Sequence, residues 1–371
     1  MQNIFRTLKS VAFGSQRNIE SLDGLRAVSI ALVLLSHLSG TRNFPSVPGQ
    51  EDLGPFGVRV FFVISGFLIT SILLEETRKT GTINLPRFYL RRTLRLFPAC
   101  YFLIGVTALL SGTSFILLNV NDLTCAWTYT MNFCTDRAWT LGHLWSLAIE
   151  EQFYLLWPFT LRALGRSKGM RLMLGVLAMA PLVRMSLPYW GEAQNLSIFF
   201  INADSLAVGC LLAGWRQELF ANRTYRGILE SRAFFLVPLV ALAANYIPYT
   251  RVRWAVGDTT MNICLAVCVD WAMRNSRSLV GRFLNLPSVS FIGVLSYSLY
   301  LWQQFFLDRG QATLLNSFPI NLLLAVVCAL GSYLLIETPF MRLRGTLERR
   351  LFPRSEPTAA VAAAAALPKG E

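Results

Sequence analysis

The chain has 371 residues, 54% of them hydrophobic and 15% charged, with a mean hydropathy of +0.46. That balance excludes an ordinary soluble domain and indicates an all-α protein that crosses a membrane many times. The net charge of +13 then expresses a positive-inside bias and attraction to anionic membrane lipids, so nucleic acid is rejected as a partner.

Residues 1–17 are polar and lack an apolar core with a small-residue cleavage site, so they are expected to be a cytoplasmic segment rather than a removed signal peptide. Ten apolar stretches long enough to cross a bilayer follow, at approximately 22–40, 56–75, 94–118, 144–163, 171–189, 196–215, 233–249, 255–273, 289–307 and 318–336. With the N-terminus inside, 27 of the 34 Lys and Arg residues fall in cytoplasmic segments and 7 outside. That asymmetry supports a polytopic helical bundle of about ten transmembrane helices, N-in and C-in. Residues 18–344 form one membrane domain, and the Ala- and Pro-rich stretch 345–371 is expected to be a disordered cytoplasmic tail. No internal repeat is visible, which disfavours transporters built from duplicated halves. Five of the seven cysteines lie in or near spans, where they pack; Cys125 and Cys134 share an outer loop whose compartment permits a disulfide that spacing alone does not require.

Four segments carry polar groups that a purely structural bundle has little reason to hold. In the first span Arg26 and His37 are eleven residues apart, about three turns plus roughly 20° and a rise of about 16 Å, so they share one helix face. Only two histidines occur in the chain, and ionisable groups in a span mark a functional site by default. Asp23 is placed to pair with Arg26. The bland alternatives are a snorkelling arginine and a histidine bridging two helices. In the second span Ser65 and Gly66 let another helix or an acyl chain approach the backbone.

Next, the inner loop Arg87–Pro98 presents Arg92 and Arg95, three apart at the start of a helix, an arrangement suited to phosphates but also met in simple positive-inside clusters. The fourth segment, HLWSLAIEEQFY, holds His143, Trp145, Ser146, Glu150 and Tyr154. Glu150 lies two turns after His143, and the adjacent Glu150 and Glu151 need a cation or a proton in so apolar a run. Glu151 is expected to pair with an inner-loop arginine. Trp127, Tyr129, Phe133 and Trp139 suit sugar stacking, although an interfacial aromatic belt is the commoner role. Glu337, in Glu337-Thr338-Pro339, closes the last span. No metal-ligand pattern appears.

Arg26 and His37 in their spacing, FFVISGFLI, the Arg92/Arg95 pair, HLWSLAIEEQFY and Glu337-Thr338-Pro339, in this order across nearly the whole chain, resemble the acyltransferase-3 family of membrane-bound O-acyltransferases. The resemblance implies a multi-pass enzyme of the bacterial inner (cytoplasmic) membrane. Such an enzyme transfers an acyl group, commonly acetyl from acetyl-coenzyme A, to a hydroxyl of a carbohydrate: O-antigen, exopolysaccharide, peptidoglycan, a lipid-linked glycan or a secreted molecule. Acyl-coenzyme A is then a donor substrate, and no bound cofactor is implied. His37 becomes the catalytic histidine, Arg26, Arg92 and Arg95 serve donor binding or site geometry, and Glu150 is the candidate to hold the imidazole or the sugar. Near Ser296–Gln303 many members carry a histidine shortly after the leucine, where this chain has Trp302 and Gln303. Some members also append an extracellular esterase-like domain, not found in these residues. The rival classes are a proton-coupled transporter or flippase that uses His37, Glu150 and Arg26 as a relay, and a scaffold, which leaves those residues unexplained.

Overall fold

The computed structural model describes residues 21–113, 116–189, 197–311 and 313–352, which are helical except for loops and one isolated bridge between Arg42 and Ser317. In chain order the helices are α1 (Leu22–Leu38), α2 (Leu53–Thr80), α3 (Leu85–Gly112), α4 (Val120–Trp127), α5 (Trp139–Gly142), α6 (Leu144–Ser186) and α7 (Ser197–Ala221). Then come α8 (Arg223–Glu230), α9 (Leu236–Asn245), α10 (Asp258–Arg274), α11 (Leu279–Leu284), α12 (Pro287–Phe306), α13 (Ile320–Ser332) and α14 (Thr338–Leu351), the last two joined by the π-helical turn Tyr333–Glu337. Each of the ten apolar stretches carries a helix. The fourth and fifth share α6, which breaks at Gly165, where φ is +70°, a conformation that favours a residue without Cβ. By length and composition four continuous helical stretches among the described residues can cross a membrane, Gln50–Thr80, Leu85–Gly112, Trp139–Tyr189 and Ile320–Leu351, and five if the pair Arg223–Glu230 and Arg232–Asn245, bent by 78°, counts as one.

Helix α1 lies between α2 and α12, and α7 seats on both α2 and α6. The α2–α7 crossing is close because each helix puts a glycine at it: a Cβ on Gly66 would stand 2.1 Å from the Leu206 carbonyl oxygen, and one on Gly209 2.2 Å from that of Val63. Gly66 therefore serves the helix approach expected of it. Ile30, Val33, Phe62, Ile149, Leu206 and Leu295 form a continuous core among these helices. In the loop between α3 and α6, Cys125 and Cys134 are joined as a disulfide, the outcome that spacing alone left open.

Three sequence expectations need correction. Helix α3 starts at Leu85, well before 94, so Arg87–Pro98 is helix rather than loop. Asn84 caps it by accepting from the Arg87 amide at 3.0 Å, and Pro86 sits in its first turn, start signals that hydropathy alone passes over. Helix α14 runs past the expected boundary at 344 to Leu351, because Glu348 is clamped by Arg87 and Arg91 of α3, each guanidinium Nε at 2.8 Å. Residues 1–17 and the tail from 353 on lie outside the described residues. Finally, Arg59 and Arg184, counted among outer-segment cations, are buried: Arg184 meets Asp204 at 2.8 Å and Arg59 meets Asp258 at 3.1 Å.

Candidate active site

Arg26 projects from the first turns of α1 and its Nη1 meets Asp23 Oδ1 at 3.3 Å, the i,i+3 pair expected from the spacing. Arg26 lines a cavity of about 90 Å³ with Ser65 of α2, Arg92 and Arg95 of α3, Ser146, Glu150 and Tyr154 of α6, and Ser296, Tyr297 and Tyr300 of α12. The Arg92 guanidinium lies 3.9 Å from the centre of the Tyr154 ring, a cation–π contact, while its buried Nε has no hydrogen-bond partner. The charged neighbours of Arg95 are Arg26, Arg92, Arg344 and Glu337. Those of Glu151 are Arg92 and Glu150; Arg92 is the cation near Glu151, while the ion pair expected of Glu151 is not among those of the described residues.

A second cavity shares Arg92 and Arg95 and adds Arg87, Arg91, Arg344 and Glu76. The pair that sequence singled out thus forms a wall common to both cavities, with cations outnumbering carboxylates on either side. Arg344 Nε, like Arg92 Nε, is buried without a partner. A buried donor without a partner is costly, and an acceptor bound between α3 and α14 would relieve that cost.

Glu150 accepts from Ser65 Oγ at 2.7 Å and from Tyr154 OH at 3.1 Å. These bonds fix its carboxylate in the arginine cavity, and neither reaches a histidine, so the holding of the imidazole expected of Glu150 falls to another residue. Trp145 packs edge-on against Phe62, ring centres 6.2 Å apart. Ser146 Oγ and Tyr300 OH are 2.7 Å apart, and Tyr300 OH donates to the His143 carbonyl at 3.1 Å. Glu337, 5% exposed, accepts from Ser298 Oγ.

His37, in the last turn of α1, is half-buried and does not line the arginine cavity. Its Nδ1 lies 2.6 Å from Gln303 Oε1 of α12, and its ring meets Trp139 of α5 edge-on at 5.2 Å. His143, immediately before α6, is bonded to the next residue, Gln304, through Nδ1 at 2.9 Å and through its backbone N–H at 3.1 Å. Both histidines are therefore held by consecutive glutamines, and Tyr300, Ser146 and His143 form a polar link from the cavity toward this end. The sequence reading missed the roles of Gln303, Gln304, Tyr300, Arg344 and Glu348. Two adjacent glutamines in an apolar helix were a usable signal, by the logic that singled out His37.

Residues 19–338 match the acyltransferase-3 family, described as an acyltransferase domain. The chain belongs to that family. The match runs from just before α1 to the first residue of α14, so every site residue expected from sequence lies inside it, while Arg344 and Glu348 lie beyond. With its long apolar helices, this acyltransferase-3 member is a membrane protein. It is similar to the O-acetyltransferase OatA of Staphylococcus aureus, strain NCTC 8325 / PS 47, at 31% identity over 359 residues that cover 88% of this chain and 58% of the relative. OatA of strain MRSA252 matches with the same figures. The chain thus spans 58% of the length of these curated relatives. No solved structure matches it.

Proposed function

We propose that the chain is a multi-pass O-acetyltransferase of the bacterial inner membrane, which takes an acetyl group from acetyl-coenzyme A and delivers it to a hydroxyl of a cell-surface or secreted carbohydrate. The observation that carries this reading is the pair of arginine-walled cavities at one end of α1 and the half-buried, hydrogen-bonded His37 at the other. A diphosphate suits the cations Arg92, Arg95 and Arg344, and the about 16 Å rise from Arg26 to His37 suits a pantetheine arm. His37 takes the proton of the acceptor hydroxyl as its oxygen attacks the thioester carbonyl; the C–S bond breaks, and the departing thiolate receives that proton. A second course at the same residue has the imidazole accept the acetyl group and pass it on. Glu150, fixed by Ser65 and Tyr154, orders the arginine end rather than the imidazole.

Ten spans with both termini in the cytoplasm fit the ten helix-bearing stretches and the division of Lys and Arg, 27 in inner segments against five outside once the buried Arg59 and Arg184 are set aside. The disulfide fits an outer loop in an oxidising compartment. The names of the Staphylococcus relatives support the acetyl group.

Mass spectrometry of envelope and secreted glycans, from a deletion strain carrying either the wild-type gene or His37→Ala, tests the reading. A sugar acetylated only in the presence of wild type supports it. Identical profiles lacking any restored acetyl group sink it and favour a transported or secreted small molecule.

A further inference from the structure

We propose that Gln303 is a positioning residue that locks His37 in its Nδ1–H tautomer, so that Nε2 is the nitrogen that exchanges protons during transfer. The clause about transfer rests on the function proposed above; the tautomer stands independently of it. Gln303 is 0% exposed and presents its Oε1 to His37 Nδ1 at 2.6 Å. A carbonyl oxygen only accepts, so the ring donates through Nδ1 and keeps a lone pair on Nε2. The neighbouring residue repeats the device: Gln304 Oε1 accepts from the backbone N–H of His143, which can only donate, and the same oxygen faces His143 Nδ1. One helix thus sets both histidines of the chain in the same form.

Two further features separate positioning from mere packing. Gln303 Nε2 is buried with no partner, an orphaned donor that is costly to leave unpaired and that a bound carbonyl or hydroxyl oxygen offsets. A glutamine also does not titrate, so its hold on the ring is independent of pH. The titratable and charged groups facing the ring are Arg309, which donates to the Ser36 carbonyl at 3.4 Å, and His143.

The test is nitrogen-15 NMR of the full chain, labelled at histidine and held in lipid nanodiscs. Two rings give a spectrum simple enough to assign by the signals missing in His37→Ala. In wild type His37 shows a protonated Nδ1 and a bare Nε2; in Gln303→Leu it moves to the Nε2–H form that an unconstrained histidine side chain prefers. Acetyl transfer from acetyl-coenzyme A to the glycan isolated from the deletion strain then falls on the order of 100-fold in kcat with KM unchanged, and Gln303→His restores part of it. Should Gln303→Leu fail to fold, Gln303→Glu serves. It keeps the acceptor and the tautomer, and its carboxylate stabilises the imidazolium, which moves the acid limb of the rate profile to higher pH. A bare Nδ1 in wild type, an unchanged tautomer or kcat in Gln303→Leu, or an unmoved acid limb in Gln303→Glu overturns the proposal. A wild-type protein that transfers no acetyl group counts against the proposed function, while the NMR result still decides the tautomer.

Discussion

Where α2, α6, α7 and α10 meet, Arg184 faces Asp204 at 2.8 Å and Arg59 faces Asp258 at 3.1 Å, and the Arg184 side chain is fully buried. In the two cavities beside α3, Arg26, Arg87, Arg91, Arg92, Arg95 and Arg344 line the walls; Asp23 meets Arg26 and Glu348 meets Arg87 and Arg91, while one guanidinium nitrogen each of Arg92 and Arg344 has no partner. Both regions place arginines among apolar helices. The first satisfies them from within the fold and is a fastening; the second leaves guanidinium donors of Arg92 and Arg344 over, the condition of a site that receives an anion. Burial of charge alone does not separate the two, whereas the balance of partners does.

Breaking the fastening should have the largest effect on stability. Arg184→Ala leaves Asp204 as an uncompensated buried charge and is expected to destabilise by about 3–5 kcal/mol, read as a lower thermal unfolding midpoint in detergent. Replacing both partners, Arg184→Met with Asp204→Leu, should recover much of that loss; a double variant as weak as the single one contradicts the pairing account. In the cavities the opposite pattern is expected. Arg92→Ala or Arg344→Ala should leave the unfolding midpoint near that of wild type or above it, while the KM for acetyl-coenzyme A rises roughly 10- to 100-fold through loss of a charge-assisted contact. Loss of stability in these variants, with KM unmoved, would make them fastenings as well. The smallest effect belongs to Glu348→Gln. The clamp on Arg87 and Arg91 is partly exposed, so its loss should cost about 1 kcal/mol or less, visible as faster proteolysis of α14 rather than as a lower midpoint.

Much of this architecture was legible in the sequence, because hydropathy reports burial in lipid directly: each of the ten apolar stretches carries a helix. The i,i+3 pairing of Asp23 with Arg26 and the close approach at Gly66 followed from helix geometry and side-chain size. What escaped depends on partners distant in the chain. Charged residues hid the first turns of α3, and Glu348, which extends α14, is explained only by Arg87 and Arg91 some 260 positions earlier. Arg184 was counted with the outer-segment cations because its partner Asp204 sits in a different span. Gln303 was read as a departure from the family pattern, and only folding brings it to His37, 266 residues away.

The central claim is a division of labour along α1, donor binding at the arginine end and transfer at His37. Equilibrium binding of coenzyme A to the purified chain in lipid nanodiscs, wild type beside His37→Ala and Arg95→Ala, tests it most directly. The account predicts wild-type affinity for His37→Ala and strongly weakened binding for Arg95→Ala. Equal binding by all three proteins, or loss of binding in His37→Ala, would contradict it.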